Sequence, residues 1–300
     1  MNTLASLRTI VKQEKPQVVS VANAADREVL LAVKEAVKQD LCSFLLFGNE
    51  TEIRSISSSI DLDLNLPHLV IRNVTTNVAL EATKAVHTNE AQILMKGNVS
   101  TKNLLKAVLD KESGLRTGKV LSHVALFEVP NQDRLIFLTD AAMNIAPDLK
   151  EKVEILNNAV QVAHGIGLDT PKVAIISPVE VVNHSMPSTL DGAVMTQMQN
   201  RGQIKGCLVD GPLAFDNAVS HKAAEQKDIK SKVAGQADIL MVPTIEVGNA
   251  LYKSFMYFAK AKVAAVISGA KAPIILTSRA DSAESKLHSL SLALVSSKTF

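Results

Sequence analysis

Thr277, Ser278 and Arg279 are the polar residues in this 300-residue chain whose order and position are most suggestive of chemistry. They follow the apolar run 274–276 and precede a helical pattern with two acids in its first turn. Hydroxyl groups and a guanidinium would then stand where a strand ends and a helix begins, beside backbone N–H groups that attract anions. Arginine adds a planar fork that fits phosphate or carboxylate oxygens. These residues predict the floor of an active site that handles phosphate.

A second interpretation of the same residues is a helix cap. Ser278 would cap the helix and Asp281, three residues on, would reach back to it, as in a capping box. That explains Ser278 and Asp281, but it leaves Arg279 in a first turn, where the helix dipole disfavours a cation. From the residues alone the two interpretations carry equal weight.

The loop from Lys96 to Thr101 also joins a strand pattern to a helix pattern, and it holds Gly97 and Ser100. Its hydroxyls and amide groups suit an oxyanion or a phosphoester. The alternative is an ordinary turn in which Ser100 caps the helix. The second glycine and the Gly-Lys-Ser/Thr ending of a Walker A loop are missing.

Two further groups follow predicted strands. Asp140 and Asn144 could orient a substrate, or they could fix an Asx-type turn. Gly248 opens a helix that carries Asn249 and Lys253, and it would let a ligand or another stretch of backbone approach closely. Tight helix packing is the rival explanation for this glycine.

The composition excludes several classes of protein. A net charge of +2, no tryptophan and two tyrosines argue against nucleic-acid binding. Cys42 and Cys207 lie far apart in apolar runs, which favours buried thiols over a disulfide. The seven histidines show no metal-ligand spacing, so no metal site is expected. Without a signal-peptide core or a membrane-length apolar stretch, we expect a cytoplasmic protein that binds no membrane.

Short apolar runs alternate with helical patterns along most of the chain, which predicts an α/β fold with mostly parallel sheets flanked by helices. The predicted strands are Val18–Ala22, Cys42–Phe47, Leu69–Arg72, Ala91–Met95, Val120–Glu128, Leu135–Thr139, Val173–Ser177, Gly206–Val209, Ile239–Val242, Ala264–Ile267 and Ile274–Thr277. The clearest predicted helices are Ala25–Gln39, Leu149–Ile166, Leu213–Gln226 and Val247–Lys260.

The segment Val120–Thr139 breaks this alternation, because two strand patterns are joined there by a short turn without a helix. Such a turn predicts an antiparallel pair, and a place where the chain passes from one domain to another. We expect a first domain at residues 1–130 plus 269–300 and a second at 131–268. Ligands of open α/β sheets bind at the carboxyl ends of strands, where all the polar groups above are placed.

Six segments of the chain, in this order and spacing, resemble the phosphate acetyltransferase and phosphate butyryltransferase family. They are Met95–Thr101, Leu138–Asn144, Val209–Ala218, Ala237–Pro243, Gly248–Lys253 and Leu276–Arg279. The short chain length and the segment Asp210-Gly211-Pro212-Leu213 resemble the butyryltransferase branch of the family more than the acetyltransferase branch. Acetyltransferases tend to carry an acid and a glutamine there, and a glycine where this chain has Ala280.

The resemblance implies two α/β domains, arranged as in isopropylmalate dehydrogenase, with the active site in the cleft between them. It implies transfer of a butanoyl group between coenzyme A and inorganic phosphate, with both substrates bound together and no separate cofactor. Acetyl-CoA is the alternative substrate. Apolar helices in the second domain favour a homo-oligomer. Two rivals remain, a decarboxylating dehydrogenase of the same architecture and a non-catalytic protein that binds CoA esters.

The resemblance also implies roles for individual residues. Arg279 would hold the phosphate and Ser278 would donate a hydrogen bond to the developing charge. The catalytic aspartate of acetyltransferases stands seven residues beyond its serine, where this chain has Ser285, so Glu284 becomes the candidate base. This one-residue offset turns a side chain by about 100° around a helix. The candidate substrate-binding residues are Lys96, Ser100, Thr101, Asp140, Asn144, Asn249, Lys253 and Thr277.

Overall fold

The computed structural model describes residues 2–13, 15–277 and 281–300. Its strands are β1 (Val18–Ala22), β2 (Ser43–Gly48), β3 (Leu69–Asn73), β4 (Ile93–Lys96), β5 (Ser122–Glu128), β6 (Ile136–Thr139), β7 (Lys172–Ile176), β8 (Leu208–Leu213), β9 (Ile239–Met241), β10 (Lys262–Ser268) and β11 (Ile274–Ile275). Each predicted strand is therefore present, with ends that shift by a few residues. The α/β fold is confirmed.

The α-helices of the described residues are α1 (Leu7–Val11), α2 (Arg27–Lys38), α3 (Glu50–Ser59), α4 (Val78–His87), α5 (Thr101–Val108), α6 (Leu149–Gly165), α7 (Pro187–Asn200), α8 (Phe215–Val219), α9 (His221–Gln226), α10 (Ile245–Tyr257) and α11 (Ala283–Ser296). None of them is long and apolar enough to cross a bilayer.

The chain forms two compact units. Unit A consists mainly of residues 5–119 and 264–298, and unit B mainly of residues 120–263. The domain boundaries predicted at 131 and 268 stay a prediction.

In unit A the strands lie in the order β3-β2-β1-β4-β11-β10. The pairs from β3 to β11 are parallel, whereas β10 and β11 are antiparallel. Residues of β1, β2 and β4 are buried almost throughout, because helices cover a parallel sheet on both faces. Asn23, Lys96 and Thr277 stand at or just after the carboxyl ends of β1, β4 and β11, which places these polar residues at one edge of the sheet.

Helix α11 is the most deeply buried helix of unit A. Residues 286–296 are all buried, although the segment contains three serines as well as leucines. Ser291 and Ser296 donate their hydroxyls to the carbonyls of Leu287 and Leu292 one turn earlier, each at 2.8 Å. Because the helix satisfies these hydroxyls itself, it can be buried without other partners for them. Its exposed first turn carries Glu284.

In unit B the strands lie in the order β5-β6-β9-β7-β8. β5 and β6 are antiparallel, with Ala125 opposite Leu138, which confirms the predicted pair. The other pairs are parallel. β8 runs to Leu213 and so includes Asp210-Gly211-Pro212, which the sequence placed in a loop after the strand.

The single helix predicted over Leu213–Gln226 is wrong, since the structure has two short helices there. α8 ends before Ser220, whose backbone is extended. The Ser220 hydroxyl then accepts a hydrogen bond from the Ala223 N–H and caps α9. The apolar pattern continues across this break, so periodicity alone could not reveal it.

Candidate active site

Thr277 follows β11 and is the last described residue before the predicted phosphate-binding turn. Ser278 and Arg279 lie outside the described residues, so their predicted roles stay predictions. The Thr277 side chain is only 7% exposed. Its hydroxyl oxygen is buried and has no hydrogen-bond partner in the part of the chain that the structure describes. A buried hydroxyl without a partner costs stability, so Thr277 is suited to bind a ligand oxygen.

Lys96 lies at the end of the strand next to β11. Met95 pairs with Ile275 in the parallel register of β4 and β11, which brings Lys96 beside the segment that leads to Thr277. The lysine is buried, and its Nζ is 3.5 Å from the Gly97 carbonyl oxygen. A buried ammonium needs polar or anionic partners. Lys96 and Thr277 together therefore form a polar group that suits an anion.

The loop after Lys96 leads into α5 as the sequence predicts. Ser100 caps this helix by accepting a hydrogen bond from the Asn103 N–H at 3.1 Å, which bears out the capping interpretation of its hydroxyl. Thr101 begins the helix and is exposed. Gly97 has a separate reason to be glycine, because a Cβ at that position would stand 2.0 Å from the carbonyl oxygen of Asn23.

Asp140 follows β6 in unit B and is almost fully buried, with 3% of its surface exposed. Its carboxylate accepts hydrogen bonds from the N–H groups of His123, Ala142 and Met143, at 3.2, 2.8 and 2.9 Å. The side-chain amide of Asn144 donates a fourth at 2.6 Å. The carboxylate oxygens are thus engaged inside the protein, as the Asx-turn interpretation expects. Asp140 shapes its loop and leaves little capacity to bind a substrate directly.

Helix α10 packs closely on this loop. A Cβ on Gly248 would lie 2.4 Å from the Asp140 carbonyl oxygen, which favours the tight-packing explanation of this glycine. The next residue, Asn249, has its Nδ2 3.4 Å from the Ala141 carbonyl oxygen. Lys253 is exposed one turn further along the helix. The structure therefore brings Asp140, Asn144 and Asn249 together in unit B.

Glu284 stands in the exposed first turn of α11. Its side chain is 60% exposed, and Oε1 is 3.4 Å from Nε2 of the buried His288 one turn later. The helix begins at Ala283, and its cap is Ser282, which accepts from the Ser285 N–H at 3.2 Å. The alternative in which Ser278 caps a helix concerns a residue outside the described ones, and the described helix α11 has Ser282 as its cap. Glu284 is in place to contact solvent or a ligand, while His288 limits its orientation.

Two residues that were not predicted as site residues form hydrogen bonds with the backbone at the start of α11. Lys286 is 2% exposed, and its Nζ donates to the Asp281 carbonyl oxygen at 2.6 Å. Glu28 accepts a hydrogen bond from the Ala283 N–H at 3.0 Å. Glu28 is distant in the chain and follows no local motif. Lys286 had a weak signal, since a lysine is unusual at a buried position of a helix rich in leucine.

A cleft of about 460 Å³ opens in unit A near the end of β1. Its polar lining includes Asn23, Asn77, Asn103, Lys106 and Asp110, and valine, leucine and alanine side chains line the rest. The volume lies within the range of small-molecule sites. Amide groups, one ammonium and one carboxylate beside apolar walls suit a ligand that has both polar and apolar parts.

Metal-ligating groups do not cluster among the described residues. No three histidine, cysteine, aspartate or glutamate side chains come together there as they would around an ion.

Comparison with known proteins gives consistent matches. Residues 68–294 match the family described as "Phosphate acetyl/butaryl transferase". The chain is 50% identical to the phosphate butyryltransferase of Clostridium acetobutylicum, with 94% of each chain covered. It is 44% identical to the phosphate acetyltransferase of Thermotoga maritima, over 94% of this chain and 95% of the relative. The crystal structure of a branched-chain phosphotransacylase from Enterococcus faecalis V583 is 40% identical, with a TM-score of 0.82 over 94% of this chain and 99% of that one.

Proposed function

The chain belongs to the phosphate acetyl/butaryl transferase family, and we propose that it converts butanoyl-CoA and inorganic phosphate into butanoyl phosphate and free CoA. The observation that carries this proposal is the identity of 50% to a phosphate butyryltransferase across nearly the full length of both chains. The ordered motifs around Lys96, Asp140 and Thr277 add to it, because they stand at strand ends where α/β proteins bind ligands.

The proposed chemistry is direct transfer, with both substrates bound together. In the direction that consumes butanoyl phosphate, a base removes the proton of the CoA thiol. The thiolate attacks the acyl carbonyl, the bond between the carbonyl carbon and the phosphate oxygen breaks, and inorganic phosphate leaves. A thiol with a pKa of about 8.5 needs only modest help from such a base.

We assign the reacting groups to residues 278 and 279 and to the first turn of α11. Arg279 would hold the phosphate and Ser278 would stabilise the developing charge, a contribution of about 3 kcal/mol for one such donor. Glu284 is the proposed base, which its exposed position in the first turn of α11 supports. The anion site of unit A would be completed by Lys96, Thr277 and the start of α5, where Ser100 is the cap and Thr101 the first residue.

Unit B would contribute positioning groups. The occupied carboxylate of Asp140 supports a role in holding its loop. Asn144 joins it there, and Asn249 and Lys253 on α10 remain the proposed contacts to substrate. The cleft beside Lys106 would accept part of the CoA ester, since it offers both a cation and apolar walls.

We further propose a cytoplasmic homo-oligomer that needs no cofactor beyond its substrates and binds neither nucleic acid nor membranes. The near-neutral net charge of +2 supports the proposal that the protein does not bind nucleic acid.

Acetyl-CoA is the second candidate substrate, favoured by the identity of 44% to a phosphate acetyltransferase. Acyl chain length is decided by pocket width, and one methylene is worth only about 1–3 kcal/mol of discrimination. A protein that binds CoA esters without turnover is the non-catalytic alternative.

The test measures the phosphate-dependent release of CoA thiol from acetyl-, butanoyl- and 2-methylpropanoyl-CoA. A disulfide reagent that becomes coloured on reaction with the thiol detects the release. We expect the highest kcat/KM with butanoyl-CoA. Higher kcat/KM with acetyl-CoA would favour the second candidate. Binding of all three esters without any phosphate-dependent release would make the protein a binding protein.

Arg279→Ala should raise the phosphate KM by at least about tenfold, since hydrogen bonds between charged groups contribute about 1.5–3 kcal/mol. Arg279→Lys should recover part of this loss, because it keeps the charge but not the planar fork. Arg54→Ala is the matched control, since Arg54 pairs with Glu50 on the surface of α3. Unchanged phosphate kinetics in Arg279→Ala would remove this residue from the proposed site.

A further inference from the structure

Among the described residues, Ile145 is the one isoleucine whose side chain is exposed to solvent. It is 69% exposed, whereas every other isoleucine of the chain is buried or half-buried. Single exposed apolar side chains are common on protein surfaces, so exposure alone indicates no function. The position of Ile145 is more informative, because it follows Asn144 in the loop after β6, at the strand ends where open α/β sheets bind ligands.

The backbone on both sides of Ile145 is held by hydrogen bonds. The side-chain amide of Asn144 donates to the Asp140 carboxylate at 2.6 Å and to the Leu121 carbonyl oxygen at 2.9 Å. The carbonyl oxygen of Ile145 accepts from the N–H of Ile245, the first residue of α10, at 3.0 Å. The exposed side chain therefore projects from a fixed backbone, as a residue that shapes a binding site must.

The surface that this loop offers to a ligand is aliphatic. Exposed loops are usually rich in Ser, Thr, Asn, Asp, Gly and Pro. Here the polar residues Asp140 and Asn144 use their side chains to hold the loop, and the exposed side chains of residues 140–147 are those of Ala142, Ile145 and Ala146. Ile145 is the largest of these three side chains, so it contributes most of the apolar surface.

We propose that Ile145 contacts the acyl chain of the substrate and increases the preference for butanoyl over acetyl groups. The assignment rests on the proposed function, because it names a residue for the acyl group of that reaction. A butanoyl group is apolar beyond its carbonyl carbon and has two methylene groups more than an acetyl group. Ligand sites pair apolar walls with a few polar groups that fix orientation. Ile145 supplies such a wall, and Asn144 and Asn249 supply polar groups on the same side of unit B.

The size of the effect follows from the area that the acyl chain can bury. Each methylene group removed from water increases affinity by about fourfold, so two of them give about fifteenfold at most. One isoleucine covers the chain from a single side and supplies part of that factor. Loss of its side chain beyond Cβ should therefore reduce the preference for butanoyl over acetyl groups by about three- to tenfold.

The experiment compares kcat/KM for acetyl-, butanoyl- and hexanoyl-CoA in the native chain, in Ile145→Val and in Ile145→Ala. In Ile145→Ala the butanoyl-to-acetyl ratio should fall by about three- to tenfold. The hexanoyl-to-butanoyl ratio should rise, because a longer chain can enter the vacated space. Ile145→Val should change both ratios in the same directions and by less. Val194→Ala, at an exposed aliphatic site on α7, is the matched control and should keep the native ratios.

The ratios separate a contact with the acyl chain from damage to the loop. A distorted loop would lower kcat/KM for the three esters alike and leave their ratios unchanged. Thermal unfolding of both Ile145 variants should match that of the native chain, because the side chain that they shorten is exposed.

Calorimetric titration with acetyl-CoA and butanoyl-CoA, without phosphate, measures the same preference as a ratio of dissociation constants. Absence of phosphate-dependent thiol release from the native chain would overturn the proposed function, while a lower binding ratio in Ile145→Ala would still support the contact. Native ratios in Ile145→Ala, in turnover and in binding, would overturn the contact and leave the transferase activity in place. A native chain that binds neither ester would overturn both.

Discussion

Thr277 and Lys286 are buried polar residues on either side of the segment 278–280, and they use their polar atoms differently. Lys286 donates to a backbone carbonyl at Asp281 and so holds the entry to α11. The Thr277 hydroxyl has no hydrogen-bond partner in the described residues. One side chain therefore fixes the backbone, whereas the other keeps an oxygen available for a ligand.

Thr277→Val tests the hydroxyl with almost no change in volume. The fold should keep or slightly gain stability, because a buried oxygen without a partner disappears. The phosphate KM should rise by about two- to tenfold, the value of one hydrogen bond of about 0.5–1.5 kcal/mol. Steady-state kinetics with varied phosphate measure this, and Thr277→Ser should behave like the native chain. An unchanged KM in Thr277→Val would show that the hydroxyl does not touch phosphate.

Glu284→Gln tests the proposed base. Removing a general base lowers kcat by about 10²- to 10⁴-fold, while binding of CoA should change little. Kinetics in the direction that consumes butanoyl phosphate and free CoA give both numbers. Glu52→Gln, in the exposed first turn of α3, is the control. Full activity in Glu284→Gln would exclude Glu284 and leave the base to be sought elsewhere.

The strands could be located from the sequence because they are short apolar runs covered on both sides, and β1 has the predicted ends. β8 runs further than predicted since Gly211 and Pro212 are typical of turns. The Asp140 loop shows the same limit within the site. Three of its partners are near in sequence, but the N–H of His123 belongs to β5, seventeen residues earlier. Such partners depend on strand pairing and leave no local pattern.

Gly248→Ala tests the contact between α10 and the Asp140 loop. The added Cβ would meet backbone atoms of Asp140 and Ala141 at 2.4 and 2.9 Å, so helix or loop must move. We expect a loss of about 1–3 kcal/mol in unfolding free energy, as for other overpacked sites, together with a lower kcat. Thermal unfolding and kinetics measure the two effects.

Gly118→Ala is the comparison for this experiment. Gly118 has a positive φ of 84° but open space where a Cβ would go, so the variant isolates backbone strain from steric contact. It should lose a little stability and keep its kcat. Native stability and native kcat in Gly248→Ala would show that the close packing of α10 does not shape the site.

At the scale of the whole molecule, each unit contains one buried cysteine, Cys42 in unit A and Cys207 in unit B. Burial raises the pKa of the Cys207 thiol to about 11 and raises the pKa of Cys42 further. At pH 8 only about one Cys207 in a thousand would be a thiolate, whereas a free thiol with a pKa of about 8.5 is ionised to roughly a quarter. The reactive form of both cysteines is thus rare in the folded protein.

We therefore predict that a disulfide reagent labels neither cysteine in the folded protein at pH 8, and labels both after denaturation. Absorbance of the released dye counts the thiols in each case. Colour in the transferase assay would then come from CoA alone. Rapid labelling of the folded chain would contradict the burial of these thiols.

The buried thiols also make the chain suitable for optical distance measurements. A cysteine introduced at an exposed site, such as Ser55→Cys on α3 in unit A, would be the dominant site for a maleimide dye. A second one at Gln199 on α7, partly exposed in unit B, would take the other dye of an energy-transfer pair. The distance between the two dyes could then be followed in solution as acyl-CoA and phosphate bind, without first replacing either native cysteine.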